Sequence, residues 1–542
     1  MRTVGDLAFA YGTDPVMVEA IGLVTGLDHT GSDPPPSPER AALIEEMQKR
    51  NVERPHQVLA SPHTALVLVR GYLRPGVREG DRFDIEVRVP TRSETTSLRG
   101  GWLLDTRLKQ IRAANSQIRE GHMVALASGP ILVDPGAAAE ADEVLMNRGR
   151  ILGGGVSRIT RSLGLVLRPD AQTVRNSSLV GTAINSRFHT FNRGIKEGVA
   201  KPKTDEYIEL AVHPRYKDNT SRYIQVVRSI PLRESPTERI ARLKRLEEQL
   251  LDPASSDIAA LRLEALGKEG IDVLARGLDA TDPAIRFFAA EALAYLDDGR
   301  AVEPLADAAS NEPAFRVFAL AALSTMNDYA AEQSLRDLLH VASAETRYGA
   351  FRALWRMNPH IPEIVGEDLE GQFSYHVVRS DGPPMIHVTR TYRPEIVLFG
   401  HDQHLRTPVL LDAGKKVLVR ADSPQQVTVV RVALGEASAR REVSPRLDEI
   451  IRAIVELGGT FPDVVQMLQE AKAKGVLSGR FEVDALPEAG RTYVRRDPQR
   501  DLLAESLGTL PRESSQSIVV AGPLPDMFEG PAVLRKGSAG GK

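Results

Sequence analysis

Cysteine is absent from all 542 residues of the sequence, and this absence excludes several kinds of site at once. A chain without thiols forms no disulfide and offers no thiolate nucleophile. It also holds no zinc or iron–sulfur centre through cysteine ligands. The absence does not indicate the compartment in which the protein works.

Long apolar runs and a strong charge imbalance are also missing. No run reaches the roughly 20 apolar residues that a bilayer-spanning helix needs. The 69 basic and 72 acidic residues give a net charge of −3, so global charge does not favour nucleic acid as a partner. No apolar stretch follows residues 1–6, so no signal peptide is expected here. Either the protein is cytoplasmic, or a targeting segment has been removed.

Short strand and helix patterns alternate through much of the chain, which predicts the α+β class. Phe83, Ile85 and Val87 alternate with charged residues, which is the period of a half-buried strand. Helical spacing predicts a helix at 170–188 with Asp170 as its N-cap. Runs rich in β-branched and aliphatic residues predict strands at 64–69, 162–167, 207–212, 224–230, 416–420 and 426–433.

Residues 236–357 differ from the rest because Ala, Leu, Glu and Arg recur there at helical spacing. The segment Asp282-Pro283-Ala284-Ile285-Arg286 returns as Glu312-Pro313-Ala314-Phe315-Arg316, and more weakly at 344–347. An Ala/Leu-rich helix pattern follows each copy. Paired helices at a period of about 30 residues are typical of an α-solenoid. The pattern therefore predicts a HEAT-like helical insertion.

These changes in composition predict six segments, because a helical domain can be inserted into a surface loop of another fold. They are an α/β domain at 1–135, a second α/β domain at 142–233, an inserted HEAT-like α-solenoid at 236–360, a β-rich domain at 361–440, a helical pair with a closing strand at 441–495, and a disordered tail at 496–542.

A search for chemistry finds no catalytic set of residues. His401, Asp402 and His404 could be offered to a metal ion, but no third, distant ligand is evident. The basic residues at 239–245 are interleaved with glutamates, which is typical of a solvated helix face. We therefore predict no enzymatic activity, no catalytic residue, no cofactor and no metal site.

Four blocks of the sequence, in this order, resemble the flagellar basal-body P-ring protein family. They are RTVGDLAFAYGTDPVMVEAIGLVTGLDHTGSD, RPGVREGDRFDIEVRVPTRSETTSLRGGWLLDTRL, LRPDAQTVRNSSLVGTAIN and RLDEIIRAIVELGGTFPDVVQMLQEAKAKGVLSGRFEV. The resemblance implies a structural motif at Gly22, Gly26, Gly31, Asp81, Ser97, Leu98, Gly100, Gly101 and Asn185. The helical insertion departs from the family pattern. So do residues 58–63, which lack the basic residues that the family tends to have there for contact with the rod or cell wall.

The resemblance implies small α/β ring-building domains and a non-enzymatic subunit that assembles with itself into a large ring. The ring would lie in the periplasm of a bacterial envelope, at the flagellar basal body or in the outer envelope. Implied partners are further copies of the chain, with the flagellar rod, peptidoglycan and outer-membrane ring proteins as additional candidates. Nucleic acid and membrane-spanning helices are not expected. Three alternatives stay open: a repurposed envelope pore, a monomeric adaptor working through its helical repeats, and a metalloenzyme using His401, Asp402 and His404.

Overall fold

The computed structural model describes residues 2–114, 117–133, 143–432, 439–494, 517–519 and 525–528. The chain divides into two compact units. The first, the sheet unit, comprises Met1–Thr13, Ser162–Ile361 and Ala485–Gly530. In the second, the barrel unit, the described residues come from Asp14–Arg161 and Pro362–Asp484. Each unit thus combines segments that are distant in sequence, whereas the predicted domains follow one another along the chain.

Strands and helices occur both in alternation and in separate runs, and the predicted α+β class is confirmed. The described strands, in chain order, are β1 (Arg2–Thr3), β2 (Ala8–Tyr11), β3 (Val16–Thr25), β4 (Ala65–Leu73), β5 (Arg82–Arg88), β6 (Trp102–Ala114), β7 (Gln117–Pro130), β8 (Leu132–Val133), β9 (Arg148–Ser157), β10 (Leu163–Leu167), β11 (His189–Asn192), β12 (Ile195–Gly198), β13 (Ala200–Pro202), β14 (Tyr207–Leu210), β15 (Pro231–Leu232), β16 (Gly366–Leu369), β17 (Phe373–Val378), β18 (Met385–Val388), β19 (Glu395–Phe399), β20 (Val409–Ala413), β21 (Val417–Ser423), β22 (Gln426–Arg431), β23 (Arg440–Val443), β24 (Arg480–Val483), β25 (Thr492–Val494) and β26 (Ser517–Val519). The described α-helices are α1 (Val4–Leu7), α2 (Pro38–Lys49), α3 (Pro55–Leu59), α4 (Glu143–Met146), α5 (Val174–Arg187), α6 (Thr220–Ser229), α7 (Pro236–Leu251), α8 (Ser256–Leu266), α9 (Ile271–Gly277), α10 (Pro283–Tyr295), α11 (Val302–Asn311), α12 (Arg316–Leu323), α13 (Tyr329–Asp337), α14 (Ala344–Met357), α15 (Leu447–Glu456) and α16 (Phe461–Ala473).

Six antiparallel strands of the barrel unit close into a barrel. The order is β5-β4-β3-β6-β7-β9, and β9 pairs again with β5. The predicted alternation at 83–87 is found in β5, where Phe83, Ile85 and Val87 enter the barrel core with Val18 and Leu103. Helix α2 packs on the outside of β3 over a smaller apolar cluster.

The second segment of the barrel unit forms two further sheets and a helical pair. The sheet orders are β16-β17-β19-β18-β24 and β20-β21-β22-β23. Helix α15 begins a run of buried apolar residues that continues in α16, and Thr460 and Asp463 form a capping box at the start of α16. Leu132 and Leu152 from the barrel segment join the same core. The two segments of this unit therefore fold together.

The sheet unit contains a four-stranded antiparallel sheet and a long helical stretch. The sheet order is β13-β14-β10-β2, with α5 packed on β13 and β14 and α6 packed on β2. Residues 236–357, from α7 to α14, contain helices and short connections only, and we call them the helical stretch. Helix α10 contacts α8, α9, α11 and α12. A HEAT-like stacking of these helices stays a prediction.

Two local predictions in the sheet unit were wrong. Residues 224–230 form part of helix α6 rather than a strand, because the Asn219 side chain accepts from the Arg222 amide and begins a helix there. Asp170 does not cap α5, since Pro169–Ala171 form a 3-10 turn first. Thr173 caps the helix by accepting from the Asn176 amide at 3.1 Å. Within the described ranges, no helix combines the length and hydropathy needed to cross a membrane.

Candidate functional site

The loop after β3 and the loop before β6 meet at one end of the barrel. The Thr30 hydroxyl donates to the Ser97 carbonyl (2.8 Å), and the Thr96 amide donates to the Thr30 carbonyl (3.0 Å). Leu98 is fully buried, and its carbonyl accepts from the Gly101 amide at 3.0 Å. Six of the predicted motif residues lie in these two loops: Gly26, Gly31, Ser97, Leu98, Gly100 and Gly101.

Two of these glycines permit close contacts that a side chain would block. The Gly31 amide donates to the Pro62 carbonyl at 2.9 Å, and a Cβ on Gly31 would lie 2.1 Å from the Thr64 carbonyl oxygen. A Cβ on Gly101 would lie 2.6 Å from the Val24 side chain. Both distances are far below van der Waals contact, so the two loops reach this arrangement only with glycine at these positions.

The other three motif residues lie elsewhere, and the structure does not bring them to this end of the barrel. Gly22 lies within β3, against side chains of the barrel interior. Asp81 accepts from the Arg78 amide (2.8 Å) in the turn before β5. Asn185, on α5 in the sheet unit, exchanges two hydrogen bonds of 2.8 Å with the Ala200 backbone and so ties the helix to β13. In these settings Asp81 and Asn185 hold neighbouring backbone, and Gly22 allows close packing of side chains in the barrel interior. A common structural role for all nine residues stays a prediction.

The histidine and aspartate residues weighed as metal ligands lie on an exposed turn. His401 Nε2 is 3.1 Å from Asp402 Oδ2, and both side chains are mostly exposed. The His404 amide donates to the Ser478 hydroxyl at 2.9 Å. Across the ranges that the structure describes, no group of three or more His, Cys, Asp or Glu side chains could hold a metal ion. The turn therefore gives no support to the metalloenzyme alternative.

A buried carboxylate joins the two segments of the barrel unit. Asp84, on β5, accepts from the Gly153 amide at 2.9 Å and from the Tyr392 amide at 2.7 Å. The Arg74 guanidinium lies 4.3 Å from the Tyr392 ring centroid and so adds a second contact between the two segments. Burial raises the pKa of Asp84, and the two amide hydrogen bonds oppose that rise. The alternating pattern of β5 gave no sign of this role, because it predicted a solvated Asp84.

Charged side chains form a row across the outside of five neighbouring barrel strands. The row alternates in sign, and its register order over β6, β3, β4, β5 and β9 is Lys109, Glu19, Arg70, Glu86 and Arg150. Glu19 and Arg70 are 2.5 Å apart, and Glu86 and Arg150 are 3.3 Å apart. The row lines a groove of about 1460 Å³ beside α2. Alternation cancels most of the charge, so the row supplies no field of one sign to attract an ionic ligand.

Arg222, on α6, is buried between two carboxylates of the helical stretch. Its guanidinium lies 2.6 Å from Glu264 and 2.6 Å from Glu291. The Tyr216 hydroxyl donates to Glu264 at 2.6 Å, and the Tyr295 ring lies 4.6 Å from the guanidinium. Burial raises the pKa of Glu291, whereas the positive charge of Arg222 lowers it. One cation thus holds two carboxylates and fixes the helical stretch to α6.

One face of the four-stranded sheet exposes aromatic side chains. Phe9, Val166 and Tyr207 are opposite one another on β2, β10 and β14. Tyr11 lies two residues beyond Phe9 on the same face, with its ring centroid 6.2 Å from that of Tyr207. Phe9 is 45% exposed and Tyr11 58% exposed. Exposed aromatic side chains grouped on one face make this part of the sheet a candidate contact surface.

The hairpin formed by β11 and β12 exposes a second apolar patch. Arg193 and Gly194, both at positive φ, form its two-residue turn. Phe191 is 69% exposed and Ile195 is 72% exposed. The hairpin leads directly into β13, at the opposite edge of the sheet from β2. Sequence patterns did not predict either patch, because they do not show which apolar residues stay outside the core.

Comparison with known proteins relates the strand-rich part of the chain to one family. The family described as "Flagellar P-ring protein" matches residues 3–245, which is less than half of the chain. This range contains all six barrel strands, the four-stranded sheet and α6, and it ends within α7. The fourth resembling block, at 446–483, lies outside the matched range, and its resemblance stays a prediction.

Individual relatives agree with this match. A Flagellar P-ring protein of Thermotoga maritima is 29% identical over 250 residues, covering 43% of this chain and 68% of that protein. One of Methylobacillus flagellatus is 30% identical over 195 residues, covering 34% and 50%. One of Albidiferax ferrireducens is 31% identical over 197 residues, covering 34% and 49%. The chain therefore spans about two thirds of the first relative and half of the other two. Over residues 3–245 the chain is therefore similar to proteins of the flagellar P-ring protein family.

Proposed function

We propose that this chain is a non-enzymatic structural subunit that assembles with copies of itself into a ring in a bacterial cell envelope. The observation that carries the proposal is the match of residues 3–245 to proteins named as flagellar P-ring proteins. The matched residues include the four-stranded sheet of the sheet unit and the closed barrel of the barrel unit.

A ring of identical subunits needs a contact that joins two different surfaces of the chain. Such a heterologous contact closes into a ring when the rotation between neighbouring subunits is a whole-number fraction of 360° and has no translation along the axis. Permanent contacts of this kind commonly bury on the order of 2,000 Å² or more. The sheet unit offers apolar surface for such a contact, because Phe9 and Tyr11 remain exposed while α5 and α6 pack on the sheet.

The proposed location is the periplasm, at the flagellar basal body or at another ring of the outer envelope. Candidate partners are the flagellar rod, peptidoglycan and outer-membrane ring proteins. The lack of lysine and arginine at 58–63 makes a rod contact through that segment weaker than in the family pattern. A repurposed envelope pore is therefore the main variant of the proposal.

Light scattering and negative-stain electron microscopy of the full chain test the proposal directly. Over a wide concentration range we expect a mass far above that of one chain, together with annular particles. A strictly monomeric protein, both when purified at high concentration and when extracted gently from the envelope, would contradict self-assembly.

A monomeric adaptor is the second candidate function, and the eight helices of the helical stretch favour it. Deleting that stretch is a poor test, because Arg222 would stay buried without Glu264 and Glu291. Substitution of Tyr329, which is exposed on α13, leaves the core intact. An adaptor predicts a monomer that loses partner binding on Tyr329→Ser, whereas a ring subunit predicts assembly unchanged by that substitution.

A further inference from the structure

The sheet unit carries two unlike apolar patches on different parts of one sheet. The first consists of Phe9 and Tyr11 on the exposed face of β2, and we call it the edge patch because β2 is the edge strand of the sheet. The second, the hairpin patch, is Phe191 and Ile195 on the β11–β12 hairpin. The strand order β13-β14-β10-β2 separates β13, which the hairpin enters, from β2 by about 14 Å, or three strand spacings.

We propose that the hairpin patch of one copy docks on the edge patch of the next copy. This inference rests on the proposed function, and it names the two surfaces that would join neighbouring subunits of the ring. In a two-fold dimer both patches would have to lie within one interface, whereas unlike patches at opposite edges of the sheet suit a head-to-tail contact. Among the described strands β2 pairs with β10 alone, so its outer edge also offers backbone groups to a neighbouring chain.

The exposed area agrees with a contact between two copies. Phe9, Tyr11 and Phe191 are between 45% and 69% exposed, and a buried aromatic residue removes about 150–250 Å² from water. Together with Ile195, these side chains supply on the order of 400 Å² of apolar surface. That is about a third of the apolar part of a permanent interface of about 2,000 Å².

The net charges around the two patches differ in sign, because the hairpin tip is cationic and the strand end next to Phe9 has a small excess of carboxylates. The hairpin tip carries Arg193 and Lys196, both exposed and without an ion pair in the described part of the chain. The strand end next to Phe9 carries exposed carboxylates that likewise form no ion pair in the described ranges: Asp170, Asp205 and Glu206. The cations at this end are Arg168, Arg175 and Lys203, of which Lys203 is held by Glu209 at 2.9 Å. Lys203 and Glu209 cancel, and Arg168 and Arg175 offset two of the three other carboxylates, so this end keeps a net charge of −1 that can receive the cationic hairpin tip.

Complementation between two defective variants tests the contact. The hairpin variant is Phe191→Asp with Ile195→Asp, and the edge variant is Phe9→Asp with Tyr11→Asp, all in the full chain. Because these side chains are exposed, each variant should keep the circular dichroism spectrum and thermal midpoint of the unmodified chain. Ile240→Asp, at a site 70% exposed on α7, is the matched control.

Sedimentation velocity then gives the outcome. We expect each variant alone to stay monomeric at concentrations at least about 30-fold above those at which the unmodified chain and the control assemble, as for the loss of an interface hot spot. An equal mixture should form a one-to-one dimer and nothing larger, because it retains one intact hairpin patch and one intact edge patch. Assembly of either variant like the unmodified chain, or a mixture that stays monomeric, would overturn the contact. Failure of the unmodified chain to assemble would instead contradict the proposed function.

Discussion

The charge row of the barrel and the Arg222 cluster beside the helical stretch place charged side chains in opposite surroundings. On the barrel, Glu19 and Arg70 meet in a row whose members remain partly exposed to water. Beside the helical stretch, Arg222 is buried with Glu264 and Glu291. An exposed pair is worth about 0–1 kcal/mol, whereas removing one partner of a buried pair costs about 3–5 kcal/mol.

This difference bears on how the helical stretch belongs to the fold. Arg222 lies inside the range that matches the P-ring family, but both of its carboxylate partners lie beyond that range. The matched part of this chain therefore depends on the helical stretch for the neutralisation of a buried charge. If the helical stretch could be removed without loss of stability, it would not supply the carboxylates that pair with a buried arginine of the matched range.

The largest expected effect comes from removing the shared cation. Arg222→Met leaves two buried carboxylates without a positive charge, so we expect a loss of about 3–5 kcal/mol in the free energy of unfolding. Urea denaturation followed by circular dichroism measures the loss. Adding Glu264→Gln and Glu291→Gln to the same chain should recover most of it, because no uncompensated charge then remains. A loss below about 1 kcal/mol for Arg222→Met would show that water reaches the cluster.

A smaller loss is expected at the buried carboxylate of the barrel unit. Asp84→Ala leaves the Gly153 and Tyr392 amides without their acceptor, which should cost about 2–3 kcal/mol. Hydrogen exchange at the Tyr392 amide reports the change at the site itself. Glu86→Ala, two residues along the same strand, is the matched control, because its pair with Arg150 is partly exposed. Equal losses for the two variants would contradict the comparison.

The third effect depends on pH. His213 Nδ1 accepts from the Arg215 amide at 3.3 Å, and burial together with Arg215 and Arg187 lowers the pKa of His213 to about 4. The unfolded chain takes up this proton near pH 6.5, so stability is lost as the pH falls from about 6.5 towards 4. His213→Asn keeps an acceptor and removes the titration. When the pH falls from 7.5 to 4.5, the free energy of unfolding of this variant should decrease by about 1–2 kcal/mol less than that of the unmodified chain. The expected difference is reduced to this range because His213 is only half-buried and water screens its charge.

Thermal midpoints of both chains at pH 7.5 and 4.5 measure this difference. The same shift in both chains would show that His213 does not contribute. A larger shift in the variant would reverse the sign of the argument.

The smallest effect is expected on the charge row of the barrel. Glu19→Gln should change the free energy of unfolding by less than about 1 kcal/mol, because its pair with Arg70 is partly exposed. The change should shrink further at high salt, which screens exposed charges. Thermal unfolding at low and high ionic strength provides the measurement. A loss of several kcal/mol would make the row equivalent to the buried cluster and remove the contrast.

The parts of the fold that were predictable were those with a regular period. Phe83, Ile85 and Val87 gave β5 because every second side chain of a half-buried strand is apolar. The run at 224–230 was mispredicted because its β-branched residues suit a strand, whereas Asn219 and the buried face of α6 determine a helix. Period and propensity act over a few residues, and α6 is decided by packing against distant ones.

Contacts between distant residues could not be read from the sequence. The resemblance identified Gly31 and Gly101 as motif residues, but their meeting at one barrel end depends on how β3 and β6 pair. The burial of Arg222 depends on helices that begin more than 30 residues later. The exposure of Phe191 and Ile195 likewise follows from the finished fold, since their composition would suit a core equally well.

Native mass spectrometry of the full chain assembled at several concentrations tests the central claim, self-assembly into a closed ring, most directly. Head-to-tail contacts that close give particles of one fixed subunit number, and raising the concentration increases their amount without changing their mass. We expect that single discrete mass. A mass that grows continuously with concentration, or a monomer at every concentration, would contradict the account.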